Sequence, residues 1–363
     1  MTAKEWLILS RLPGVGSRRL AELLAQRPVW PEGWLNLLPD QARQHLRLWL
    51  DHPQRSPLQA ECDVLDVWLA ENPLHSLLHP DHSAWPSLLR ELPDPPPVLW
   101  AAGDLEALVP PTLAIVGSRR PTRDGLGNAA RFGAELAERG WCVVSGLALG
   151  VDGHAQRAAL DAHGRSVAVL GSGIDVIYPP RHGDLYQRLL AEGGLILSEH
   201  SPGTKARPAF FPRRNRVVTG LSLGVLVVEA AEKSGSLVSA RLAMEQNREV
   251  FALPGSLHNP QARGCLKLIQ QGAVLVTGID DILAELGHWA GGLASNVANV
   301  ASVPDAPAVA DPLLNWLSDA PTPLDALITL TGQDVASCQM RLLELELAGR
   351  VTQTAGGWIR LPG

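Results

Sequence analysis

Cysteine is scarce in this sequence. The four that occur among 363 residues, Cys62, Cys142, Cys265 and Cys338, stand far apart and form no Cys-x-x-Cys pair. That argues against a metal site and a disulfide framework, and suits a reducing compartment. Long apolar runs are missing as well: no stretch is long enough, free of Gly, Pro and charge, to span a bilayer. The opening MTAKEWLILSRLPGVG holds a short apolar run that ends at Arg11 and a Pro-Gly turn, without the long apolar segment of a secretory signal. The expectation is a cytoplasmic protein with no membrane partner.

The signatures of several chemistries are also missing. There is no Gly-x-Ser-x-Gly elbow. The histidines His154, His163, His182 and His200 are scattered without metal-ligand spacing. A dinucleotide fingerprint is absent: GSRRPTRDG lacks the Gly-x-Gly-x-x-Gly pattern, and GSGIDV has Val176 where the third glycine belongs. The run CVVS ends in Ser145 and Gly146 instead of a ribose-binding acid. Hydride transfer is excluded on these grounds, and neither metal nor cofactor is expected.

What is present is a core-forming composition, 46% hydrophobic and 19% charged. The net charge of −6 argues against a nucleic-acid binder until it is divided along the chain. Residues 1–111 hold 9 basic and 14 acidic side chains, residues 112–287 hold 19 and 16, and residues 288–363 hold 3 and 7. Only the middle block is basic, so whole-chain charge is a poor guide.

Within that block short apolar runs recur: LAIV (113–116), CVVS (142–145), VAVL (167–170), LILS (195–198), VLVV (225–228), VFAL (250–253) and AVLV (273–276). Helix-like stretches such as GNAARFGAELAERG and SLVSARLAMEQN separate most of them. Unbroken apolar strands alternating with amphipathic helices predict an α/β fold with a parallel sheet covered on both faces. Ligands of such sheets bind beyond the carboxyl ends of the strands. The segments expected on that rim are Gly117-Ser118-Arg119-Arg120, Gly146-Leu147-Ala148, Gly171-Ser172-Gly173, a loop from Lys205 to Arg216, Glu229 through Ser236, and Pro254-Gly255.

The stretch KARPAFFPRRNR carries Lys205, Arg207, Arg213, Arg214 and Arg216, no acid, and the aromatics Phe210 and Phe211. Cations neutralise phosphates and aromatic faces stack on unpaired bases. Gly117-Ser118-Arg119 places a small-residue turn with a hydroxyl and an arginine fork at a strand end, and Lys233-Ser234-Gly235-Ser236 does the same before a helix N-terminus. One nucleotide needs one anion site, whereas a polynucleotide needs several in a row. Aromatics among cations favour single strands. The competing enzyme reading is a nucleoside phosphate-cleaving site that uses Glu229 with Arg119. The plain alternative for Glu229 is a hydrogen-bonded acid that organises the basic loop.

The flanks divide as follows. Residues 1–70 read as a small helical domain in which EWLILSRLPGVGSRRLAELLAQR resembles a helix-hairpin-helix motif. Pro13, Gly14 and Gly16, with Arg18 and Arg19 behind them, could hold a phosphate, or the motif could be a structural αα-hairpin. Residues 71–111 are a Pro-rich connection with one short strand, VLWAAG, leading into the core over 112–287. Residues 288–311 lack any basic residue and read as a linker. Residues 312–363 read as three helices and a hairpin, a winged helix with three arginines against five acids, which favours protein interaction or a structural role over groove reading.

Taken in order, AIVGSRRPTRDG, VVSGLALGVDGHAQRAAL, VAVLGSGIDVIYPP, LILSEHSPG, FPRRNRVVTGLS, VVEAAEKSGSLVSARLAMEQNREVFALPG and GCLKLIQQGA resemble the DNA-processing protein A family, DprA or Smf. The resemblance covers about residues 75–285, and the flanking domains match a common three-part version. It implies an extended Rossmann-like core with an N-terminal helical, SAM-like domain and a C-terminal winged helix. It also implies a homodimer without enzymatic activity that binds single-stranded DNA, protects incoming strands in natural transformation and loads the RecA recombinase. The family's motifs fall on Ser118 and Arg119; on Phe211, Pro212, Arg214, Asn215 and Arg216; and on Lys233, Ser234, Gly235 and Ser236. The expected nucleic-acid contacts are these together with Gly117, Arg120, Lys205, Arg207 and Arg213. Lys205, Arg207 and Arg213 are the expected phosphate contacts, Arg214 to Arg216 partly anchor the next helix, and one of the two phenylalanines stacks while the other is core. The chain departs from the family pattern at Gln156, where histidine is usual, and at Leu266, where asparagine is common.

Overall fold

All seven apolar runs between 113 and 276 become strands of one nine-stranded sheet. They are β3 (Thr112–Val116), β4 (Cys142–Ser145), β5 (Ser166–Gly173), β6 (Leu195–His200), β7 (Gly224–Val227), β8 (Glu249–Ala252) and β9 (Val274–Leu275), each parallel to its neighbours among them. Two antiparallel strands, β1 (His75–Leu78) and β2 (Leu99–Gly103), extend the edge beside β6. The computed structural model describes residues 1–287 and, beyond them, Leu313, Leu317 and residues 322–331, 334–347, 350–354 and 357–360. The expected linker over 288–311 lies outside the described residues.

The strand order is β1-β2-β6-β5-β4-β3-β7-β8-β9. The chain winds outward from β3 through β4 and β5 to β6, crosses back, and winds the other way from β7, so the winding direction reverses between β3 and β7. A crevice opens at the carboxyl ends of strands where such a reversal occurs. Every residue of β3, β4, β5 and β7 is buried, as a sheet covered on both faces requires.

The crossovers supply the cover. On one face lie α7 (Arg123–Glu138), α8 (Val151–Asp161), α9 (Gly183–Ala191) and a helix over residues 279–287. On the other lie the short α6 (Ser87–Arg90), α10 (Phe210–Gly220), α11 (Ser236–Glu245) and α12 (Arg263–Gln270). This is the Rossmann-like α/β architecture. Helices α7 and α8 pack so closely that a Cβ at Gly133 would collide with the backbone carbonyl of Ala155.

The N-terminal helices are α1 (Ala3–Arg11), α2 (Ser17–Leu24), α3 (Glu32–Leu37), α4 (Asp40–Asp51) and α5 (Gln59–Glu71). A reciprocal cap starts the first: Glu5 N–H donates to Thr2 Oγ1 at 3.3 Å and Thr2 N–H donates to Glu5 Oε2 at 2.7 Å. These helices bury Trp6, Trp34, Leu46, Leu65 and Trp68 in the same apolar cluster as Trp100, Ala168, Leu189 and Ile196 of the core. The αα-hairpin is therefore packed onto one end of the sheet, and Met1–Asn299 form one compact unit.

Val300–Gly363 form a second unit. Its described part contains helices over Leu324–Thr331 and Val335–Leu347, followed by antiparallel strands Val351–Thr354 and Gly357–Arg360. Leu313, Leu317, Leu327, Cys338, Leu342, Leu345 and Val351 make its core. A helix pair followed by a paired hairpin is the winged-helix arrangement.

Gly133→Ala is expected to lower the unfolding free energy by about 1–3 kcal/mol, measured by urea denaturation, because the obstacle is backbone and a helix must move.

Candidate nucleic-acid interface

The turn after β3 is built from the inside. Ser118 is buried; its N–H donates to Glu229 O at 2.7 Å, its carbonyl accepts from Val151 N–H at 3.2 Å, and its Oγ accepts from Arg120 N–H at 3.0 Å. Gly117 lies against the Val151 side chain. Ser118 thus spends its N–H inside the turn, and Gly117 packs against Val151, so both shape the loop. The turn projects Arg119 and Arg120, both exposed.

Glu229 holds the other side of that turn. One carboxylate oxygen accepts from Thr122 Oγ1 at 2.5 Å and the other from Thr122 N–H at 2.8 Å, just ahead of α7. Both oxygens are committed, at the helix terminus where negative charge is favoured. Glu229 is the hydrogen-bonded organiser, and the loop it organises is 117–122 instead of the basic stretch.

The basic stretch divides in two. Residues 201–209 are irregular, but Phe210 to Arg216 form the first turns of α10, where Pro212 is tolerated near the helix start. Consecutive helical positions point in different directions, so the arginines part company. Arg213 is exposed, whereas Arg214 and Arg216 are 6% and 7% exposed. Arg214 Nη1 donates to Gly146 O at 2.7 Å and to Val169 O, and its Nε donates to Asn215 Oδ1 at 3.3 Å. It thereby ties α10 to the carboxyl end of β4 and to the middle of β5. A side chain at residue 146 would overlap the guanidinium. Burial pushes the Arg214 pKa down to about 10, against the attraction of buried Asp152. Burial also raises the Asp152 carboxyl, opposed by Arg214 and by hydrogen bonds that include Gly146 N–H at 3.1 Å.

Arg216 is buried as well. It pairs with Glu199 and, through Nε, with Asp94 Oδ2 at 3.2 Å. Burial raises the Glu199 carboxyl, and Arg216 opposes the shift. Arg214 and Arg216, expected to contact nucleic acid with Asn215, are buried and bonded to protein acceptors, although Arg216 Nη1 has no partner and Arg214 still lines the small cavity beside Phe211. Their anchoring role is what the geometry shows, and half-buried Asn215 serves Arg214.

Neither phenylalanine is core. Phe211 is half-buried over Gly171, with the exposed Tyr178 ring 5.3 Å away and the Arg119 guanidinium 5.6 Å from its centroid. Arg119, Gly146, Tyr178, Phe211 and Arg214 line a small cavity of about 60 Å³. Phe210 stacks on His200 with centroids 4.0 Å apart, and the Arg207 guanidinium lies 5.7 Å from its ring centroid. Burial, then the positive charges of Arg11, Arg213 and Arg207, push the His200 pKa down to about 4. The sequence reading passed over Tyr178; an aromatic directly beyond the longest strand was the available signal.

The Lys233 turn closes on itself. Ser236 N–H donates to Ser234 Oγ at 3.3 Å, and the two serine hydroxyls lie 2.6 Å apart. Gly235 is exposed beside Lys233, whose ammonium is the turn's outward feature. Six cations therefore remain exposed around the rim without a carboxylate partner among the described residues: Arg119, Arg120, Lys205, Arg207, Arg213 and Lys233. Elsewhere Arg139, Arg157, Arg165 and Arg188 are each matched to an acid.

Residues 76–287 match the family model described as DNA recombination-mediator protein A. The chain belongs to that family. Residues 298–357 match the DprA winged helix domain. The chain is 44% identical to Protein Smf of Escherichia coli, an alignment covering 86% of this chain and 83% of that protein. It is 45% identical to DNA processing protein DprA of Bacillus subtilis, over 56% of this chain and 68% of that one. Among solved structures, DNA processing protein A of Streptococcus pneumoniae is similar with a TM-score of 0.65 at 33% identity, covering 78% of this chain and 98% of the other. The Helicobacter pylori protein, solved for its single-stranded DNA binding mode, gives 0.52 at 35% identity, over 58% and 95%. The family is one of recombination mediators, in keeping with a rim that offers charge and aromatic surface but no committed acid–base pair. Among the described residues no helix is long and apolar enough to cross a membrane, and no cluster of three metal-ligating side chains occurs.

Arg216→Ala is expected to cost about 3–5 kcal/mol of stability by leaving Glu199 buried without its partner. Arg119→Ala, at an exposed position, should cost less than about 0.5 kcal/mol. Denaturant titration of both variants checks the division between anchoring and free arginines.

Proposed function

We propose that the chain binds single-stranded DNA across the rim and delivers it to the RecA recombinase during natural transformation and homologous recombination. The observation that carries this reading is the set of six exposed cations without acid partners around the Tyr178–Phe211 shelf. Phosphates are met by Arg119, Arg120, Lys205, Arg207, Arg213 and Lys233, and unpaired bases stack on Tyr178 and Phe211. A duplex keeps its bases stacked inside and cannot use the shelf. Membership of the recombination-mediator family supports the DNA substrate, as does the single-stranded DNA binding of the Helicobacter pylori relative. The chain acts as a homodimer in the cytoplasm, without cofactor and without turning over its ligand.

Affinity for an unpaired oligonucleotide is expected to fall steeply with salt, and Arg119→Ala should flatten the log–log slope by about 0.7. Tyr178→Ala should weaken binding by about 1–3 kcal/mol at any salt, as loss of a stacking face does. Filter binding or fluorescence anisotropy with a duplex control reads both; equal affinity for duplex and single strand would falsify the reading.

His200 offers an independent check. Its depressed pKa reflects burial reinforced by Arg11, Arg213 and Arg207, so a bound polyanion that neutralises these charges should raise it above about 4. By linkage, oligonucleotide affinity should increase as pH falls through the interval between the free and bound values. An NMR titration of the His200 ring with and without oligonucleotide measures the shift. An unmoved midpoint argues against a strand passing over Arg207 and Arg213.

A further inference from the structure

A wide cleft lies beyond the rim, where the N-terminal helices meet the start of α10. It has a volume of about 680 Å³, and its lining includes Ser17, Arg18, Arg19, Glu22, Asp94 and Arg213. Helix α2 turns Leu20 and Leu23 into the apolar cluster, so residues 18, 19 and 22 stand on its outer face. The sequence alone left Arg18 and Arg19 between a phosphate-binding motif and a structural hairpin; packing onto the sheet brings them to the same cleft as Arg213.

Charge decides what this cleft takes. Both acids of the lining are already engaged: Glu22 faces Arg18 at 3.7 Å, and Asp94 pairs with buried Arg216 at 3.2 Å. Arg19 and Arg213 are exposed and have no carboxylate partner among the described residues. Arg11, on the neighbouring helix, adds its field at His200 together with Arg213 and Arg207. Arg213 is thus shared: it belongs to the basic stretch of the rim and it also walls the cleft.

We infer that the strand held on the rim continues past Arg213 into this cleft, where Arg18 and Arg19 take its phosphodiester backbone. The inference rests on the rim reading and adds the N-terminal helices to the path. The cleft lining contributes charge without an aromatic ring, so it holds backbone and not base. It extends the length of strand bound and leaves the stacking site unchanged. The N-terminal block, net acidic over residues 1–111, still presents a local cationic surface here.

The test compares oligothymidylates of about 6 and about 20 nucleotides by anisotropy, bracketing the span of one compact single-strand site. The Arg18→Ala/Arg19→Ala double variant should lose about tenfold in affinity for the long strand, with a salt slope shallower by about 1.4, and stay within about twofold of wild type for the short one. Both side chains are exposed, and a matching melting curve establishes that the fold is kept. Arg19→Glu should show the same length dependence more strongly. Arg47→Ala/Arg55→Ala removes equal charge from exposed residues of the same helical block outside the cleft lining and should leave both affinities unchanged. A wild type that binds with no loss in the double variant overturns the extension alone, as does equal loss at both lengths or equal loss in the control. A wild type that binds neither length overturns the rim reading and the extension together.

Discussion

The crossover from β6 to β7 has to pass the ends of three intervening strands, and a buried arginine tethers it there. Arg214 reaches from α10 to the carbonyls of Gly146, just beyond β4, and of Val169, within β5, joining both strands to the helix with one planar donor group. A guanidinium suits this place because it offers several donors in fixed directions and retains its charge when buried. Asp152 supplies the opposing charge on the far side of Gly146. With α10 fixed, the neighbouring positions are set: Arg213 outward, Arg216 inward onto Glu199 and Asp94, Phe211 over Gly171 beside Tyr178.

That arrangement explains how a chain of net charge −6 can present a cationic surface. Arg139, Arg157, Arg165 and Arg188 are matched to acids at the surface, where exposed ion pairs contribute little to stability. Six unmatched cations stand on the rim, where a glutamate and a serine are turned inward to shape the loop that carries Arg119 and Arg120. Glu229 is the instructive residue. Its carboxylate would lower the affinity of the rim for anions if it faced outward; bonded to Thr122, it holds the loop open.

The N-terminal helices bear on the same surface. They share an apolar cluster with the sheet through Trp68 and Trp100, whose rings meet edge to face at a centroid distance of 6.3 Å. This packing brings Arg11 close enough to depress His200 and sets the outer face of α2 along the cleft that Arg213 also lines. The aromatic and cationic groups of the interface therefore come from segments some 200 residues apart in sequence, joined by burial that has nothing to do with ligand.

Local pattern determined a good deal. Apolar runs at 113–116, 142–145, 167–170, 195–198, 225–228, 250–253 and 273–276 name the strands because burial on both faces favours apolar side chains at consecutive positions, and the helix-like spacers make them parallel. The ordered motifs identify the family, and Arg119, Lys205, Arg207, Arg213 and Lys233 are recognisable as charge at strand ends. Side-chain direction was beyond reach. Arg213, Arg214 and Arg216 read alike in KARPAFFPRRNR, yet one faces solvent and two are sealed, because only the packed helix decides which turn meets the sheet. Tyr178 joined Phe211, and Arg18 and Arg19 joined Arg213, through long-range contacts that no local spacing encodes. The sequence by itself determined the strands, the family and where positive charge is concentrated. Tertiary structure decided which charges are free, since that depends on which acceptors and carboxylates packing brings within hydrogen-bonding distance.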